Sequence, residues 1–399
     1  MSNYLFIQNN NEIYTFGLNT YGQLGLGHNI NQNKPQLLKI DGMIRQISCG
    51  ESQTLILTES NQVYGFGRNR YDQLGLGHDI NQNKPQLLKF DEPISQIVCG
   101  SQHTMILTES KEVYAFGANY VGQLGSTCGV DFNSPHLLKF NEGVSQIACG
   151  GHHTMILTDS NKCYAFGYNA YGQLGLGHNV NRNKPVLLKF DKLISRIFCG
   201  ELHTIILTTS NQFYSFGSNK YGQLGLGHNI DINIPCLLKI NDPIDQIACG
   251  WHHTVVSTES NNIYVFGKNH DGQLGLGHID NQNTPQLLKL NKPVSQIACG
   301  DSHTMILTES GNVYIFGYNF GQIGTRCKTN IVNPYLLPIK ATSLMNQTLP
   351  IRWTPKNHQR FPQKFQYQII TFMIINRYFI RPDLKIPKFI CYEIIKKCV

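Results

Sequence analysis

The 399-residue sequence has few charged side chains: Asp, Glu, Lys and Arg make up 15% of it, against 41% hydrophobic residues. This balance excludes an intrinsically disordered chain, which is rich in charge and poor in apolar residues. The 37 glycines are spread along the chain, so a collagen-like fibre and a coiled coil are excluded as well. The composition is typical of a globular, turn-rich protein.

The sequence also lacks a long hydrophobic run. Residues 1–8 contain no basic region before an apolar stretch and no small-residue cleavage site, which argues against a secretory signal. The apolar stretch at 369–375 is far shorter than the roughly 20 residues that span a bilayer. We therefore expect an intracellular protein, cytoplasmic or nuclear, with no membrane partner.

What the sequence does contain is a repeat of about fifty residues. Ile13-Tyr-Thr-Phe-Gly returns in related form at 63, 113, 163, 213, 263 and 313, and Gly22-Gln-Leu-Gly returns in related form at 72, 122, 172, 222, 272 and 321. Seven repeats of this period indicate a solenoid, propeller or array.

Each repeat reads as four short strands. Thr104-Met-Ile-Leu-Thr and Val113-Tyr-Ala-Phe are rich in β-branched and aromatic residues, and the turn residues between them predict a hairpin. A Pro-led apolar run and a strand ending in Cys-Gly complete the set. Four-stranded sheets repeated radially form a β-propeller. We therefore predict an all-β domain over 1–349 followed by a small helical segment at 350–399.

The motifs resemble one family of propeller repeats. An aromatic-x-aromatic-Gly-x-Asn, then Gly-Gln-Leu-Gly, a Pro and a Cys-Gly-x-x-His-Thr recur over about residues 1–340. This pattern is similar to that of the regulator of chromosome condensation repeat family. The resemblance implies a seven-bladed β-propeller, whereas the Trp-Asp and Gly-Gly signatures of other propeller repeats do not recur.

The number of strands predicts how the ring closes. The strand ending in Cys-Gly occurs six times and the other three types seven times each, which leaves one strand missing. An unpaired edge strand invites aggregation, so propellers pair the two ends of the repeat region. We expect residues around 342–349 to pair with the N-terminal strand that contains Tyr4.

No motif of a catalytic, metal or cofactor site is present. Six of the twelve cysteines occupy one repeat position, where buried free thiols are expected rather than disulfides. A histidine precedes Thr in five repeats, at 103, 153, 203, 253 and 303, and Gln53 takes its place in another repeat. We therefore expect these histidines to make structural hydrogen bonds rather than bind a metal. Those of the Gly-Leu-Gly-His segments read as turn residues. We therefore predict that the protein is not an enzyme and that it binds neither a metal nor a cofactor.

The repeats differ from one another mainly after each Cys-Gly and after each Phe-Gly. In antiparallel sheets these positions fall at one edge, so they share one face of the propeller, and loops on a rigid scaffold are common binding sites. Neutral drift at exposed positions is the alternative reading. Trp, Tyr and Arg are enriched at interface hot spots. The predicted partner-binding residues are Arg68, Arg70, Tyr120, His152, Tyr168, Lys220, Trp251, His252, Lys268, Tyr318 and Phe320.

The excess charge lies in the last fifty residues. Residues 350–399 hold ten basic and two acidic side chains, a net +8, whereas the first 349 residues are neutral. The apolar spacing there predicts two short helices, and the interleaved apolar residues argue against nucleic-acid binding. The stretch from Leu384 resembles the adaptor-binding helices of F-box or SOCS-box proteins. That resemblance implies a cullin adaptor as partner; a helical cap on the propeller is the alternative.

Two functions follow. The first is a non-catalytic protein-interaction propeller, a substrate receptor of a cullin-type ubiquitin ligase if the second resemblance holds. The alternative is a guanine-nucleotide exchange factor for a Ran-like small GTPase, the best-known activity associated with the family resembled. Repeats before the seventh keep their length and leave no inserted segment to displace a nucleotide. No exchange residue is therefore assigned.

Overall fold

The computed structural model describes residues 3–8, 12–126, 129–319, 330–340 and 343–344. All of them belong to the first of two compact units, Met1–Thr348. All regular secondary structure among these residues is β-strand, and the strands form seven four-stranded antiparallel sheets. The predicted all-β fold is therefore confirmed for the described part of the chain.

Three sheets follow one another in the first half of the chain. Sheet 2 contains β4 (Ile44–Cys49), β5 (Gln53–Thr58), β6 (Val63–Gly67) and β7 (Gln82–Leu88). Sheet 3 contains β8 (Ile94–Cys99), β9 (His103–Thr108), β10 (Val113–Gly117) and β11 (Phe132–Leu138). Sheet 4 contains β12 (Val144–Cys149), β13 (His153–Thr158), β14 (Cys163–Gly167) and β15 (Arg182–Leu187).

Three more sheets repeat this order. Sheet 5 contains β16 (Ile194–Cys199), β17 (His203–Thr208), β18 (Phe213–Gly217) and β19 (Ile232–Leu238). Sheet 6 contains β20 (Ile244–Cys249), β21 (His253–Thr258), β22 (Ile263–Gly267) and β23 (Gln282–Leu287). Sheet 7 contains β24 (Val294–Cys299), β25 (His303–Thr308), β26 (Asn312–Gly317) and β27 (Ile331–Lys340).

Sheet 1 is assembled from both ends of the repeat region. It joins β1 (Asn3–Gln8), β2 (Glu12–Gly17) and β3 (Gln32–Leu38) to the short strand β28 (Ser343–Leu344). Phe6 is paired with Leu344, and Ile7 with Ser343. The prediction that residues around 342–349 pair with the N-terminal strand is confirmed at these two positions.

The expectation of a seven-bladed propeller needs correction. Six sheets consist of four consecutive strands each, and they are six blades of a propeller. Sheet 1 differs because residues 3–8 pair as a second strand, so the first strand has to come from residues 343–344. The sequence there matches the Cys-Gly strand poorly, and within the described residues two pairs join β28 to β1. The helical segment predicted at 350–399 lies outside the described residues.

An asparagine in the hairpin turn between the second and third strands sets where the next sheet begins. Asn61 has a left-handed backbone, with φ of 63°, which Asn adopts more readily than most residues. Its Nδ2 donates to Glu92 O at 3.0 Å, and its Oδ1 accepts from Ile94 N at 2.7 Å. The turn thus holds the start of the first strand of the following repeat.

A second asparagine organises the long loop after each third strand. In sheet 4, Asn169 Oδ1 accepts from Leu174 N at 2.9 Å, and Asn169 Nδ2 donates to His178 O at 2.7 Å. His178 Nδ1 in turn accepts from Val180 N at 3.2 Å. The same imidazole contact recurs at other repeats, and it confirms the role of turn residue for His28, His78, His178, His228 and His278.

Neighbouring sheets share their cores through a phenylalanine that packs on a glycine. Phe116, Phe166, Phe216, Phe266 and Phe316 are fully buried in the third strands. A Cβ on Gly125 would lie 2.9 Å from the ring of Phe166 in the next sheet, and Gly125 has φ of +70°. Both the space and the backbone therefore require glycine there. The recurring Gly-Gln-Leu-Gly motif is explained by this contact.

The first strands of successive sheets lie side by side and are joined by glutamine side chains. Gln46 Nε2 donates to Ile97 O at 2.8 Å, and Gln46 Oε1 accepts from Ile97 N at 2.9 Å. Gln96 and Gln146 bridge to the following sheet in the same manner. Gln246 also makes two bonds to the following sheet, but it accepts from Ile297 N and donates to Ser295 O. We call each such two-bond bridge a glutamine clamp, because a side chain of one sheet satisfies a backbone donor and a backbone acceptor of the next sheet.

The joint between sheets 5 and 6 has no glutamine clamp. Arg196 occupies the glutamine position and lies 3.5 Å from Asp245 O, but a guanidinium offers no acceptor to Ile247 N. Phe198 stands where the equivalent strands have the smaller Ser48 or an Ala or Val. Cys199 and Cys249 are only half-buried, as is Cys49 in sheet 2, whereas their equivalents in sheets 3, 4 and 7 are buried. A larger side chain and a missing clamp thus leave this joint looser than the others.

The cysteines of the described residues are free thiols, as predicted. Those that end the first strands lie against the preceding sheet: Cys99 Sγ donates to Ser48 O at 3.6 Å, and Cys299 Sγ lies 3.6 Å from Ala248 O. Burial raises the pKa of the Cys99 thiol to about 11. A thiol held protonated at neutral pH is a poor nucleophile, so these cysteines are packing residues.

We expect the loose joint to show in amide hydrogen exchange. The amide of Ile247 lacks the acceptor that Gln46, Gln96, Gln146 and Gln246 give its equivalents, so peptides covering 244–249 should exchange at least about tenfold faster than those covering 94–99 or 144–149. Mass spectrometry of exchanged peptides measures this. The double variant R196Q/F198A restores the consensus and should slow the exchange at 244–249. Equal rates in all strands would contradict the assignment.

Candidate functional site

The two sets of variable positions meet at one edge of each sheet, as the sequence analysis expected. Arg68 N donates to Ser52 O at 2.8 Å, Tyr168 N to His152 O at 2.8 Å, and Lys268 N to His252 O at 2.7 Å. Loops from every described repeat therefore share one surface. We call it the loop face: residues 50–52 and 68–81 with their equivalents among the described residues.

A neutralised cation stands at one side of the loop face. The guanidinium carbon of Arg68 lies 5.2 Å from the ring centroid of Tyr21 and 5.5 Å from that of Tyr71. Its Nη1 is 3.9 Å from Glu51 Oε2. Arg68 is 16% exposed, so the cation is held between two rings and a carboxylate. We call these four residues the Arg68 cluster.

Tyr120 connects the Arg68 cluster with the next repeats. It is 50% exposed, and its hydroxyl lies 2.9 Å from His152 Nδ1 and 3.3 Å from Gln102 Oε1. Gln102 Nε2 in turn donates to Glu51 Oε2 at 3.1 Å. Burial lowers the pKa of His152, so its imidazole is neutral at physiological pH. Side chains from three repeats thus form one hydrogen-bonded chain.

Two carboxyl groups lie closer to the axis. Ser101 Oγ donates to Glu201 Oε2 at 2.8 Å, and burial raises the pKa of Glu201 to about 7. Burial likewise raises the pKa of Asp301 to about 6. Gly151 makes room for the first group, because a Cβ there would lie 2.2 Å from Glu201 Oε1. The sequence doublet Gly150-Gly151 is explained by this approach.

A second aromatic and basic group lies on the loops of sheets 5 and 6. Lys220 Nζ and Lys268 Nζ are each 5.8 Å from the ring centroid of Tyr221. The rings of His252 and His270 lie 5.1 Å and 6.0 Å from the same ring, and Trp251 lies 6.5 Å from His252. We call Lys220, Tyr221, Trp251, His252, Lys268 and His270 the Tyr221 patch.

The remaining predicted residues are distributed around the same face. Arg70 is exposed, and Tyr168 and Tyr318 are half-buried. The ring of Tyr168 lies 6.1 Å from that of Tyr171, away from both groups described above. Phe320 lies outside the described residues. The structure therefore brings Lys220, Trp251, His252 and Lys268 together, and Arg68 near Tyr120 and His152, but not all eleven into one site.

Several residues of the face were not singled out from the sequence. Tyr21, Tyr71 and Tyr221 occupy one repeat position and therefore read as part of the invariant frame. Glu51 and Glu201 are visible as variable positions, but they stand 150 residues apart. Only the closed ring brings them to neighbouring places around one axis.

The buried histidines beneath the face join neighbouring sheets. His153 Nε2 lies 2.9 Å from Thr204 Oγ1, and Thr204 Oγ1 donates its own proton to Gln173 O at 2.8 Å. Nε2 must therefore carry the proton of the imidazole. Burial lowers the pKa of His153 to about 3, which keeps the ring neutral. The predicted structural role is confirmed by this bond, and it recurs at His103, His203 and His253.

Within the described residues, no group of three or more His, Cys, Asp or Glu side chains is arranged to hold a metal ion. The same part of the chain contains no helix long and apolar enough to cross a membrane.

Comparison with known proteins identifies the family. The description "Regulator of chromosome condensation (RCC1) repeat" matches residues 10–57, 60–107, 111–157, 160–207, 210–257 and 260–307, and a second description of the same repeat matches six segments between 44 and 322. The chain therefore belongs to the RCC1 repeat family. No curated protein sequence matches it.

Two solved structures are similar to it over most of its length. Human WBSCR16 is 24% identical with a TM-score of 0.74, and the match covers 82% of this chain and 94% of that one. Yeast Prp20 is 21% identical with a TM-score of 0.75, and the match covers 85% of this chain and 88% of that one. At these identities the likeness shows the fold, an RCC1-like propeller.

We expect His153 to stabilise the joint between sheets 4 and 5. His153→Ala removes the bond to Thr204 and the ring that fills the space beside Gly150, and should cost about 1–3 kcal/mol of unfolding free energy. His153→Gln should cost less, because the natural Gln53 reaches Gly100 O at 2.9 Å. Urea unfolding at neutral pH gives both values. Equal losses in the two variants would argue against the hydrogen bond.

The carboxyl of Glu201 should make stability depend on pH. The unfolded chain releases this proton near pH 4.5, whereas the folded chain keeps it up to about pH 7. Stability is therefore lost as pH rises through this window. Glu201→Gln, which cannot ionise, should gain about 1–3 kcal/mol relative to wild type between pH 5 and pH 8, because a difference of one in pKa corresponds to about 1.4 kcal/mol.

Thermal unfolding at both pH values measures the effect. Glu59→Gln, in an exposed hairpin turn, is the matched control and should show no such gain. A constant difference between Glu201→Gln and wild type from pH 5 to pH 8 would show that the carboxyl is not held protonated by the fold.

Proposed function

We propose that the chain is a non-catalytic interaction module that binds a protein partner through the loop face, and that sheet 1 acts as a seventh blade that closes the ring. One observation carries the proposal: a frame with near-identical strands, turns and buried residues varies mainly at positions that share one surface. That surface offers exposed aromatic and basic side chains such as Tyr120 and Lys220. Variation of this kind on a rigid scaffold is typical of binding loops.

The anchors of the proposed interface are the predicted residues. Trp251 and Tyr168 supply rigid aromatic surface, and Arg68 supplies a preorganised cation. Residues of these types dominate the binding energy of protein interfaces. An intracellular location, cytoplasmic or nuclear, fits this role and belongs to the same proposal.

A second candidate function is nucleotide exchange on a small GTPase. The structure of Prp20 is described together with its binding to Gsp1p and histones, and another describes Prp20 bound to Kap60. The shared propeller favours this candidate, and the even length of the first six repeats argues against it. Purified protein in catalytic amounts should accelerate release of labelled nucleotide from a Ran-like GTPase if the candidate is right, and should leave the rate unchanged if the first proposal is right.

The ligase-receptor role stays a prediction from sequence alone. It depends on residues 350–399, which lie outside the described residues. Affinity capture with the full chain and with residues 1–349 tests it: a cullin or its adaptor recovered only with the full chain supports the role, and recovery with neither chain contradicts it.

We expect Trp251→Ala to weaken binding of a captured protein partner by about 2 kcal/mol, or roughly thirtyfold in Kd, because removal of a central aromatic anchor typically costs that much. Titration calorimetry with the purified partner measures the loss. Lys239→Ala, just beyond β19 at the opposite edge of the sheets, is the control and should bind like wild type. Unchanged binding by a folded Trp251→Ala protein would remove this residue from the interface.

A further inference from the structure

The Tyr221 patch carries more positive charge than the one carboxylate beside it neutralises. Lys268 Nζ is 3.6 Å from Asp271 Oδ2, whereas Lys220 is exposed and forms no ion pair within the described residues. Both ammonium groups point toward the ring of Tyr221, each at 5.8 Å. Two cations beside one ring with a single carboxylate leave a net positive, partly apolar surface.

The state of His252 agrees with this picture. Burial, together with the positive charges of Lys268 and Lys220, lowers the pKa of His252 to about 4. The imidazole is therefore neutral at physiological pH and adds ring surface rather than charge. With Trp251 and Tyr221 it gives the patch an aromatic floor between the two lysines.

The Arg68 cluster on the same face shows what a satisfied cation looks like. Arg68 is 16% exposed and has Glu51 at 3.9 Å, with Gln102 donating to the same carboxylate. Its charge is neutralised by a carboxylate of the protein. The exposed ammonium of Lys220 has no such carboxylate within the described residues, so an anionic group of a partner can bind there.

The surroundings limit the size of the anion. Trp251 N donates to Asp301 O at 3.3 Å, which places the inner side of the patch next to Asp301. Nucleic acids are held along an extended basic groove, usually by many phosphate contacts, and two lysines do not form one. A short acidic peptide matches the charge and the aromatic floor.

We propose that the Tyr221 patch binds a short acidic segment of a protein partner, with carboxylates at Lys220 and Lys268 and an apolar side chain against Trp251. The proposal rests on the interaction role proposed above and assigns its chemistry. Loops of sheet 5 supply Lys220, and loops of sheet 6 supply Trp251 and Lys268, so the bound segment bridges the two sheets.

Tryptophan fluorescence provides a direct test. The sequence has two tryptophans, so a Trp353→Phe background leaves Trp251 as the sole reporter. The full chain is titrated with a panel of end-blocked decapeptides that combine Asp and Glu with Phe, Leu and Ser, and with the same peptides carrying Asn and Gln. We expect a change of Trp251 emission with acidic peptides alone, and a Kd that rises with salt.

Charge reversal locates the binding. K220E/K268E should weaken the acidic peptides by at least about tenfold. K239E/K289E makes the same change in the same two sheets at the opposite edge, on exposed lysines beyond β19 and β23, and should stay within about twofold of wild type. Circular dichroism and urea unfolding confirm that all variants are folded.

Several results would overturn the proposal: no acidic peptide binds, the amide versions bind equally well, K220E/K268E binds as wild type does, or single-stranded oligothymidylate competes with higher affinity. The interaction role is tested separately with the captured partner. Loss of the partner in Tyr120→Ala but not in K220E/K268E would keep the loop face and remove the Tyr221 patch. Loss of the partner in neither variant, and none in Trp251→Ala, would remove the loop face itself.

Discussion

The structure depends on the contact of a buried phenylalanine with a glycine of the preceding repeat. A four-stranded sheet with one fully buried ring, such as Phe166, cannot cover that ring by itself and needs the loop that contains Gly125. Each repeat therefore completes its neighbour, and the chain has to continue around a ring. The positive φ of Gly125 and the absent Cβ explain why the loop motif hardly varies, while the residues just before it are free to differ.

This difference between fixed frame residues and variable loop residues explains why the loop face varies from repeat to repeat. Inside, His153 and Gln96 hold neighbouring sheets by hydrogen bonds that tolerate little change. Outside, Arg68 and Lys220 occupy positions that the frame holds in place without restricting their type. The same geometry supports two different surfaces, a neutralised cation beside Glu51 and a cationic aromatic patch around Tyr221.

The sequence predicts the scaffold better than the site. Periodicity indicates the repeats, the four strands and the loop face, and the count of Cys-Gly strands predicts the pairing of β28 with β1. It does not reveal that Tyr221 lies among two lysines and two imidazoles, because a residue that recurs in most repeats gives no signal of its own. Nor does it reveal that Glu201 lies near the axis, since distance from an axis is a property of the closed ring. The substitutions Arg196 and Phe198 are visible, but their effect depends on which side of the strand faces the next sheet.

The near identity of the repeats bears on how the protein acquires its structure. A glutamine clamp formed with the wrong first strand satisfies the same kinds of backbone donor and acceptor as the correct one. The energy of a single clamp therefore does not distinguish the correct neighbouring sheet from another sheet during folding. Sequential emergence of the chain from the ribosome favours contact between adjacent repeats. Arg196 and Phe198 make the joint between sheets 5 and 6 different in its contacts from the clamped joints.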